Sequence, residues 1–198
     1  MKKRLALFLA ALIAACSLWA QDAYDLTFDE NLATPAVTGK AQRDVRSHMR
    51  QVSSSLAKQF ANVELLRDGE VVLVTIPASA LFAANDTIVT ASGRKLLGRL
   101  SSAAKAPTMY KLVVAAHSDD TGDDAYRIAL TEARANAVDD CLIDASGVED
   151  ENIVPFGLGS DDPVSTNDSM AGRAKNRRIE IYIVPEAGLI ERAAKGKL

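Results

Sequence analysis

The stretch that decides the fold is YKLVVAAHSDDTGDDAYRIALTEARANAV, residues 110–138. It opens with the apolar run YKLVVAA, which is typical of a buried strand, and continues into a polar loop that ends near Gly122. From about Asp123 to Asp144 apolar side chains recur every three or four residues, which predicts a helix. The stretch therefore predicts a strand, a connecting loop and a helix.

Working outward toward the N-terminus, the apolar pattern predicts a helix, a hairpin and a second helix. Residues 41–62 carry apolar side chains at helical spacing and predict an amphipathic helix. VELLRDGEVVLVTIP, residues 63–77, predicts two strands joined through Asp68-Gly69, a dipeptide suited to the positive φ angles of tight turns. Thr90 or Ser92 can cap the next helix. These elements precede the central strand.

Toward the C-terminus, a short strand is expected at residues 153–156, followed by a loop of Gly, Ser and Asp residues to about Ala171. The last strand, RIEIYIV at residues 178–184, alternates apolar and polar side chains. Together the elements predict one domain over residues 63–186 with the order β-α-β-α-β-β.

The flanking segments have weaker patterns. Residues 21–40 are polar, contain Pro35 and Gly39, and show no sustained period, so they are expected to be a linker. Residues 187–198 are expected to form a basic tail, either as a short helix or as a frayed end.

The first 20 residues resemble a secretory signal, because a basic start precedes an apolar run and then small residues. Two cleavage sites compete. Cleavage after Ala20 would remove Cys16 with the leader, whereas cleavage before Cys16 would leave that cysteine to carry a lipid anchor. In either case Cys141 has no partner, so no disulfide framework is expected.

Composition and charge limit the classes of partner. The chain is 48% hydrophobic and 25% charged, which suits a globular domain with flanking segments. The formal net charge is -3, and the leader contributes three cations, so the rest of the chain is still more negative. This balance argues against nucleic acid as a partner.

Arg134 is the first candidate for chemistry. Leu130 lies four residues before it and Val138 four residues after it, so a helix places the guanidinium on or beside the apolar face. A buried charge requires a partner, because an unpaired one costs on the order of 3 to 5 kcal/mol. Asp119, in the loop that leads into the same helix, is the natural candidate. One interpretation is therefore a simple Asp119 to Arg134 ion pair.

A metal site is an alternative for the same loop, because hard cations bind clustered carboxylates and imidazole binds transition metals. The loop offers His117, Asp119, Asp120, Asp123 and Asp124. No second spaced pair of ligands supports a metal, however, and the chain has no GxSxG, HExxH or complete phosphate-binding motif. We therefore expect no enzyme, no cofactor and no metal, with metal-assisted hydrolysis as a distant alternative.

Four motifs complete the pattern and occur in a fixed order. They are the His-x-Asp loop at 117–119, Thr-x-x-Arg-Ala at 131–135, Gly-x-Gly-x-x-x-Pro at 157–163 and Gly-Arg-x-x-Asn-Arg-Arg at 172–178. This combination resembles the C-terminal domain of the outer membrane protein A family over roughly residues 70–184. Any one of the motifs alone would be a weak indication.

The resemblance implies an α+β fold, a β-α-β-α-β-β two-layer sandwich whose mixed sheet carries its helices on one face. It also implies a domain that binds peptidoglycan without a covalent bond, typically through the diaminopimelate of the peptide stem. Peptidoglycan-associated lipoproteins and flagellar stator proteins share this fold. The expected location is the cell envelope, in the periplasm or on the periplasmic face of the outer membrane.

The resemblance also implies which residues bind. The family's ligand-binding aspartate corresponds to Asp119 and its arginine to Arg134, and Asn85 and Arg177 correspond to two further positions in the pocket. Diaminopimelate carries an ammonium and a carboxylate on one carbon, so Asp119 would take the ammonium and Arg134 the carboxylate.

Other motif residues are expected to support the site or to change it. Arg173, Asn176 and Arg178 are expected to fix the loop and the start of the last strand to nearby carboxylates. Where the family usually has asparagine, this chain has Arg127, a long cation beside the pocket.

Two hypotheses follow. The first is a peptidoglycan-binding module associated with the outer membrane or the periplasm. The alternative is an envelope interaction domain that has lost ligand binding through Arg127 and meets a protein partner through the helix at residues 41–62.

Overall fold

The computed structural model describes residues 26–104, 108–146 and 152–198. The predicted signal at residues 1–20 and the lipidation alternative at Cys16 lie outside the described residues. A single sheet holds five strands, in the spatial order β1-β2-β5-β3-β4. The strands are β1 (Val63–Leu66), β2 (Val71–Pro77), β3 (Tyr110–His117), β4 (Ile153–Gly157) and β5 (Arg178–Pro185).

The sheet is mixed, because β3 and β4 run parallel whereas the other neighbouring pairs are antiparallel. The helices are α1 (Phe28–Ala33), α2 (Ala41–Leu56), α3 (Ala78–Leu81), α4 (Ala91–Ala104), α5 (Asp124–Ser146), α6 (Met170–Asn176) and α7 (Ala187–Ala194). Four of them, α2, α4, α5 and α7, bury apolar side chains in one core with Ile179, Ile181 and Ile183 of β5. The predicted α+β fold with a mixed sheet and a helical layer is confirmed.

The predicted hairpin between β1 and β2 is present, with Leu66 paired to Val71. Its turn begins one residue before the Asp-Gly dipeptide, because Arg67, Asp68 and Gly69 all have positive φ, at 49°, 53° and 93°. Glycine adopts such angles without steric cost, whereas the other two are uncommon there.

The interpretation of residues 21–40 as a linker is wrong for Phe28–Ala33, because these residues form the helix α1. Thr27 and Glu30 form a capping box at the start of this helix, in which each side chain binds the other residue's backbone. Phe28 packs edge-on against Phe156 and Tyr182 on the sheet face opposite the helical layer, with ring centres 5.5 and 5.6 Å apart. The segment is therefore docked on the domain.

Two cations hold the end of this docked segment. The Arg67 guanidinium donates to the carbonyl oxygens of Leu32 and Pro35, at 2.6 and 3.1 Å. The Lys111 ammonium donates to the carbonyl of Thr34 at 3.1 Å. Burial lowers the pKa of both cations.

The two helices at the ends of the domain also pack onto it. α2 buries Val45, Met49 and Leu56 in the main core, so its apolar face is already occupied within this chain. α7 lies against α2 and buries Leu189 and Ala193, so residues 187–194 of the expected tail are a docked helix. No helix among the described residues has the length and apolar character that crossing a membrane requires.

Candidate functional site

The site forms where the end of β3 meets the start of β5. His117 is paired with Arg178 in the sheet, so Asp119, two residues beyond β3, and Arg177, the residue before β5, lie at the same end of the sheet. They border a cavity of about 350 Å³, which is also lined by the loop after α3 and the first turns of α5. The four predicted binding residues, Asn85, Asp119, Arg134 and Arg177, all line it, and so does Arg127. A cavity of this size suits a small ligand group.

Asp119 provides a buried carboxylate at the cavity wall, with 6% of the residue exposed. Oδ1 accepts a hydrogen bond from the Thr121 amide at 3.0 Å, and Oδ2 accepts one from Arg177. Burial raises the pKa of Asp119, but the contacts with Thr121 and Arg177 outweigh burial and lower it. The carboxylate is therefore ionised at neutral pH.

Arg134 provides a buried cation on the other side, with 4% of the residue exposed. Nε donates to the carbonyl oxygen of Asp86 at 2.9 Å, and the guanidinium lies 5.1 Å from the centre of the Phe82 ring. Among the described residues no carboxylate lies within 4.0 Å of Arg134, and burial lowers its pKa. The interpretation of a simple Asp119 to Arg134 ion pair is therefore wrong, because Asp119 pairs with Arg177.

Asn85 lies in a loop that the structure holds in an unusual conformation. Its φ is 57°, a left-handed angle that asparagine tolerates better than most residues. The carboxylate of Asp86 accepts hydrogen bonds from the Thr87 and Ile88 amides, at 2.7 and 3.0 Å. The same loop presents the Asp86 carbonyl to Arg134, so it fixes both Asn85 and one edge of the guanidinium.

Arg127, the departure from the family pattern, is bound to the loop of its own helix. Nη1 donates to the carbonyl oxygens of Asp120, at 3.2 Å, and Gly122, and Nη2 donates to the carboxylate of Asp124. The side chain is only 15% exposed. Its charge is thus neutralised beside the cavity, and its donors hold the loop that also carries Asp119.

Asn176 and Arg173, which were expected to bind nearby carboxylates, instead hydrogen-bond the loop before β5. Asn176 is fully buried, and its side-chain oxygen accepts hydrogen bonds from the Val164 and Ser165 amides, both at 2.9 Å. Arg173 donates to the carbonyl of Asn167 at 2.6 Å, so its partner is a backbone oxygen and not a carboxylate. The sequence predicted only loop up to about Ala171, but α6 begins at Met170 and is capped by Ser169.

Arg178 belongs to a second polar cluster, which lies on the opposite face of the sheet from the helical layer. Nε of Arg178 donates to Glu180 at 2.7 Å, and Nη2 lies 3.4 Å from the carboxylate of Asp162. The other oxygen of Glu180 accepts from the Tyr182 hydroxyl at 2.5 Å and lies 3.2 Å from Nε2 of His117. The sequence analysis expected carboxylate partners for Arg178, but it did not name Glu180 or Asp162.

His117 belongs to the same cluster and therefore does not face the carboxylates of the loop after β3. Its imidazole is 1% exposed and turned toward Glu180, not toward the cavity. In the described part of the chain no three potential metal ligands come together. Burial raises the pKa of Glu180, but the hydrogen bonds from His117 and Tyr182 and the charge of Arg178 lower it to about 2.

Sequence reasoning missed several residues that line the cavity, among them Phe82, Thr121, Tyr126 and Leu130. A signal for two of them was present. Tyr126, Leu130 and Arg134 are spaced four residues apart, and that spacing puts them on one face of α5.

Comparison with known proteins identifies a family that this chain matches. Residues 81–177 match the OmpA family. Over 111 residues the chain is 32% identical to outer membrane protein A of Bordetella avium, covering 56% of this chain and 57% of that protein. Over 89 residues it is 37% identical to the peptidoglycan-binding protein ArfA of Mycobacterium bovis, covering 45% of this chain and 27% of that protein. The chain thus spans less than two thirds of either relative.

Among solved structures, the chain is similar to the cell wall anchor of the T6SS from Pseudomonas aeruginosa. The TM-score is 0.56 and the sequence identity 28%, over 71% of this chain and 96% of that one.

Proposed function

Residues 81–177 form a domain of the OmpA family, and from that premise we propose that the chain binds peptidoglycan non-covalently in the cell envelope. It would act as a binding module that links the periplasmic side of the envelope to the cell wall. Two similarities support the proposal: one relative is named a peptidoglycan-binding protein, and one similar structure is a cell wall anchor.

One observation carries the proposal, namely the unpaired cation in the cavity. Arg134 is 4% exposed, has no described carboxylate within 4.0 Å, and is held by a backbone carbonyl and an aromatic ring. Leaving a buried charge without a counter-ion is costly, so such a site favours an anionic ligand group. The ionised Asp119 lines the same cavity and offers the opposite charge.

The ligand group that fits this pair is a zwitterion on one carbon, as at the free end of diaminopimelate in the peptide stem. The two Nη atoms of Arg134 can bind the carboxylate of the ligand as a fork. Among the described residues only Nε of Arg134 donates to the protein. The ammonium would lie against Asp119. Asn85 and Arg177 supply further donors at the wall.

Binding of the ammonium requires Arg177 to give way in part. Its side chain is 44% exposed and occupies Oδ2 of Asp119, so it stands where the ligand's cation would bind. Because the Arg177 guanidinium is half-exposed, water can solvate it once it leaves Asp119, and the ligand's ammonium then replaces it as the counter-ion of the buried carboxylate. Once displaced, the guanidinium can bind a second carboxylate of the ligand.

The alternative, an interaction domain that has lost ligand binding, depended on a free cation at Arg127. Because Arg127 is bound to Asp124 and two loop carbonyls, its charge does not by itself argue against the ligand. Whether the chain has lost peptidoglycan binding is therefore decided by the binding experiment described next.

Co-sedimentation of the purified chain with diaminopimelate-type peptidoglycan tests the proposal. Wild type is expected in the pellet, and Asp119→Ala and Arg134→Ala in the supernatant. Matched controls are Asp140→Ala and Lys175→Ala, which remove exposed charges outside the cavity and are expected to behave as wild type. Circular dichroism establishes that each variant is folded. A wild-type chain that stays in the supernatant would overturn the proposal.

Peptidoglycan with lysine in place of diaminopimelate tests the zwitterion itself. Lysine keeps the ammonium but lacks the carboxylate that Arg134 would bind. We expect binding at least about tenfold weaker, as the loss of a charge-assisted pair predicts. Equal binding of the two polymers would leave peptidoglycan binding intact but refute the role given to Arg134.

A further inference from the structure

The outward face of α2 carries a stripe of cations. The stripe comprises Lys40 just before the helix, Arg43 and Arg50 within it, and Lys58 just after it, all of them exposed. At 100° per residue these positions fall within about 80° of one another around the axis. The opposite face is fixed by buried Val45, so the stripe cannot turn inward.

Two cations outside this stripe form ion pairs, whereas among the described residues the stripe is largely without them. Arg46, on the flank of α2, pairs with Glu70 at 3.0 Å, and Lys195 pairs with Glu191. Within the described residues Arg50 and Lys58 have no carboxylate within 4.0 Å, and Arg43 reaches only Asp44 at the 4.0 Å limit. The stripe is thus a positive surface on a chain whose net charge is negative.

A shallow surface cavity of about 420 Å³ lies along the stripe. It is lined by Ser47, Arg50, Gln51, Ser54, Ser55 and Lys58. Its side chains are therefore two cations, three hydroxyl groups and one amide. Such donors suit phosphate oxygens, which accept several charge-assisted hydrogen bonds at once.

We propose that the stripe docks α2 on a membrane surface rich in anionic phospholipid. A straight helix of 16 residues is about 24 Å long and presents its cations along a line, which fits a flat charged surface. Clusters of four or more Lys and Arg residues on an amphipathic helix bind anionic lipid, and each contributes near the surface. The lining of the cavity holds no apolar side chain, so contact is at the headgroups, without insertion.

This contact is independent of the peptidoglycan site, because α2 supplies none of the residues that line the 350 Å³ cavity. One chain could then bind the wall through the cavity and lie on a membrane through α2. The attraction is electrostatic and weakens within a Debye length, so it falls as salt rises.

Vesicle flotation with the full chain tests the inference. We expect binding to vesicles of phosphatidylcholine with about 30% phosphatidylglycerol, and none to phosphatidylcholine alone, with loss of binding between about 50 and 500 mM salt. Arg50→Gln/Lys58→Gln should lower binding at least about fivefold. Lys95→Gln/Lys175→Gln, which removes the same charge from other exposed positions, should not.

Three results would overturn the inference: equal flotation of both double variants, equal binding to neutral vesicles, or binding that salt leaves unchanged. If Arg50→Gln/Lys58→Gln instead lowers co-sedimentation with peptidoglycan and leaves flotation unchanged, the stripe binds the wall and not a membrane. Wild-type flotation without peptidoglycan co-sedimentation would leave the membrane inference standing and reject the proposed function.

Discussion

Arg177 and Arg178 are neighbours in the chain, yet the sheet gives them opposite environments. The Arg178 side chain is 3% exposed and binds Glu180, Asp162 and a backbone carbonyl. The Arg177 side chain is 44% exposed and hydrogen-bonds the carboxylate of Asp119. Arg178 is the first residue of β5, whereas Arg177 is the C-cap of α6 just before the strand, so two identical side chains acquire different roles.

The polar cluster around Glu180 and the cavity around Arg134 differ in how completely the protein pairs their charged groups. Both oxygens of Glu180 have partners within the protein, so this carboxylate has little capacity for a ligand, although Nδ1 of the neighbouring His117 is buried without a partner among the described residues. Around Arg134 the protein supplies a carbonyl and a ring but no described carboxylate. An incomplete cluster at a cavity is where a ligand gains the most free energy.

The largest effect is expected from replacing Arg178 by methionine. Arg178→Met leaves the buried Glu180 carboxylate without its cation and should lower the free energy of unfolding by about 3 to 5 kcal/mol. Arg177→Met, the matched change one residue earlier, removes a half-exposed cation, while the buried Asp119 carboxylate keeps the Thr121 amide, so it should cost less, about 1 to 3 kcal/mol. Urea unfolding of both variants measures the difference. Equal losses would contradict the contrast between the two clusters.

Acid should act on the same cluster. The folded-state pKa of Glu180 is lowered to about 2, so its stabilisation is complete above its ordinary pKa of 4.5 and is lost as pH falls from there toward 2. The loss is on the order of 3 kcal/mol. Unfolding free energies measured across this range should fall more steeply for wild type than for Glu180→Gln. Parallel curves would show that Glu180 does not carry the acid sensitivity.

At the cavity the expected effect is on binding more than on stability. Arg134→Lys keeps the charge but loses the planar fork, so affinity for a diaminopimelate peptide should fall about 10- to 100-fold, or about 1.4 to 2.8 kcal/mol. Arg192→Lys, the same change outside the cavity lining, should leave affinity unchanged. Isothermal titration calorimetry separates the two. Unchanged affinity in Arg134→Lys would mean that the cation acts only through its charge.

Much of the fold could be predicted because its elements are long and strongly patterned. β3 is an almost continuous apolar run, β5 places Ile179, Ile181 and Ile183 on one face, and α2 carries apolar side chains at helical spacing, so these patterns decide the element and its buried face. Helices α1 and α6, of six and seven residues, were missed. Helices this short are marginal alone, so contacts that the sequence does not display, such as Phe28 against the sheet, decide whether they form.

The candidate site shows a similar limit. Sequence motifs named four of the residues that line the cavity, but local spacing paired Asp119 with Arg134, 15 positions away on the same loop and helix. Arg177 is 58 positions from Asp119, and only the pairing of His117 with Arg178 in the sheet brings them together. Long-range register is a property of the assembled sheet, so spacing along one segment could not reveal this partner.

Arg127 combines features of both clusters, because it is a cation beside the cavity whose charge is paired with a carboxylate of the protein. Arg127→Asn removes the hydrogen bonds to Asp120, Gly122 and Asp124, and the shorter amide cannot replace all of them. The loop that holds Asp119 through the Thr121 amide should loosen, and affinity for a diaminopimelate peptide should fall less than about tenfold, mainly through faster dissociation. Surface plasmon resonance measures both rates. A rise in affinity would instead show that the Arg127 cation opposes the ligand, because a residue that only positions the loop cannot improve binding when it is removed.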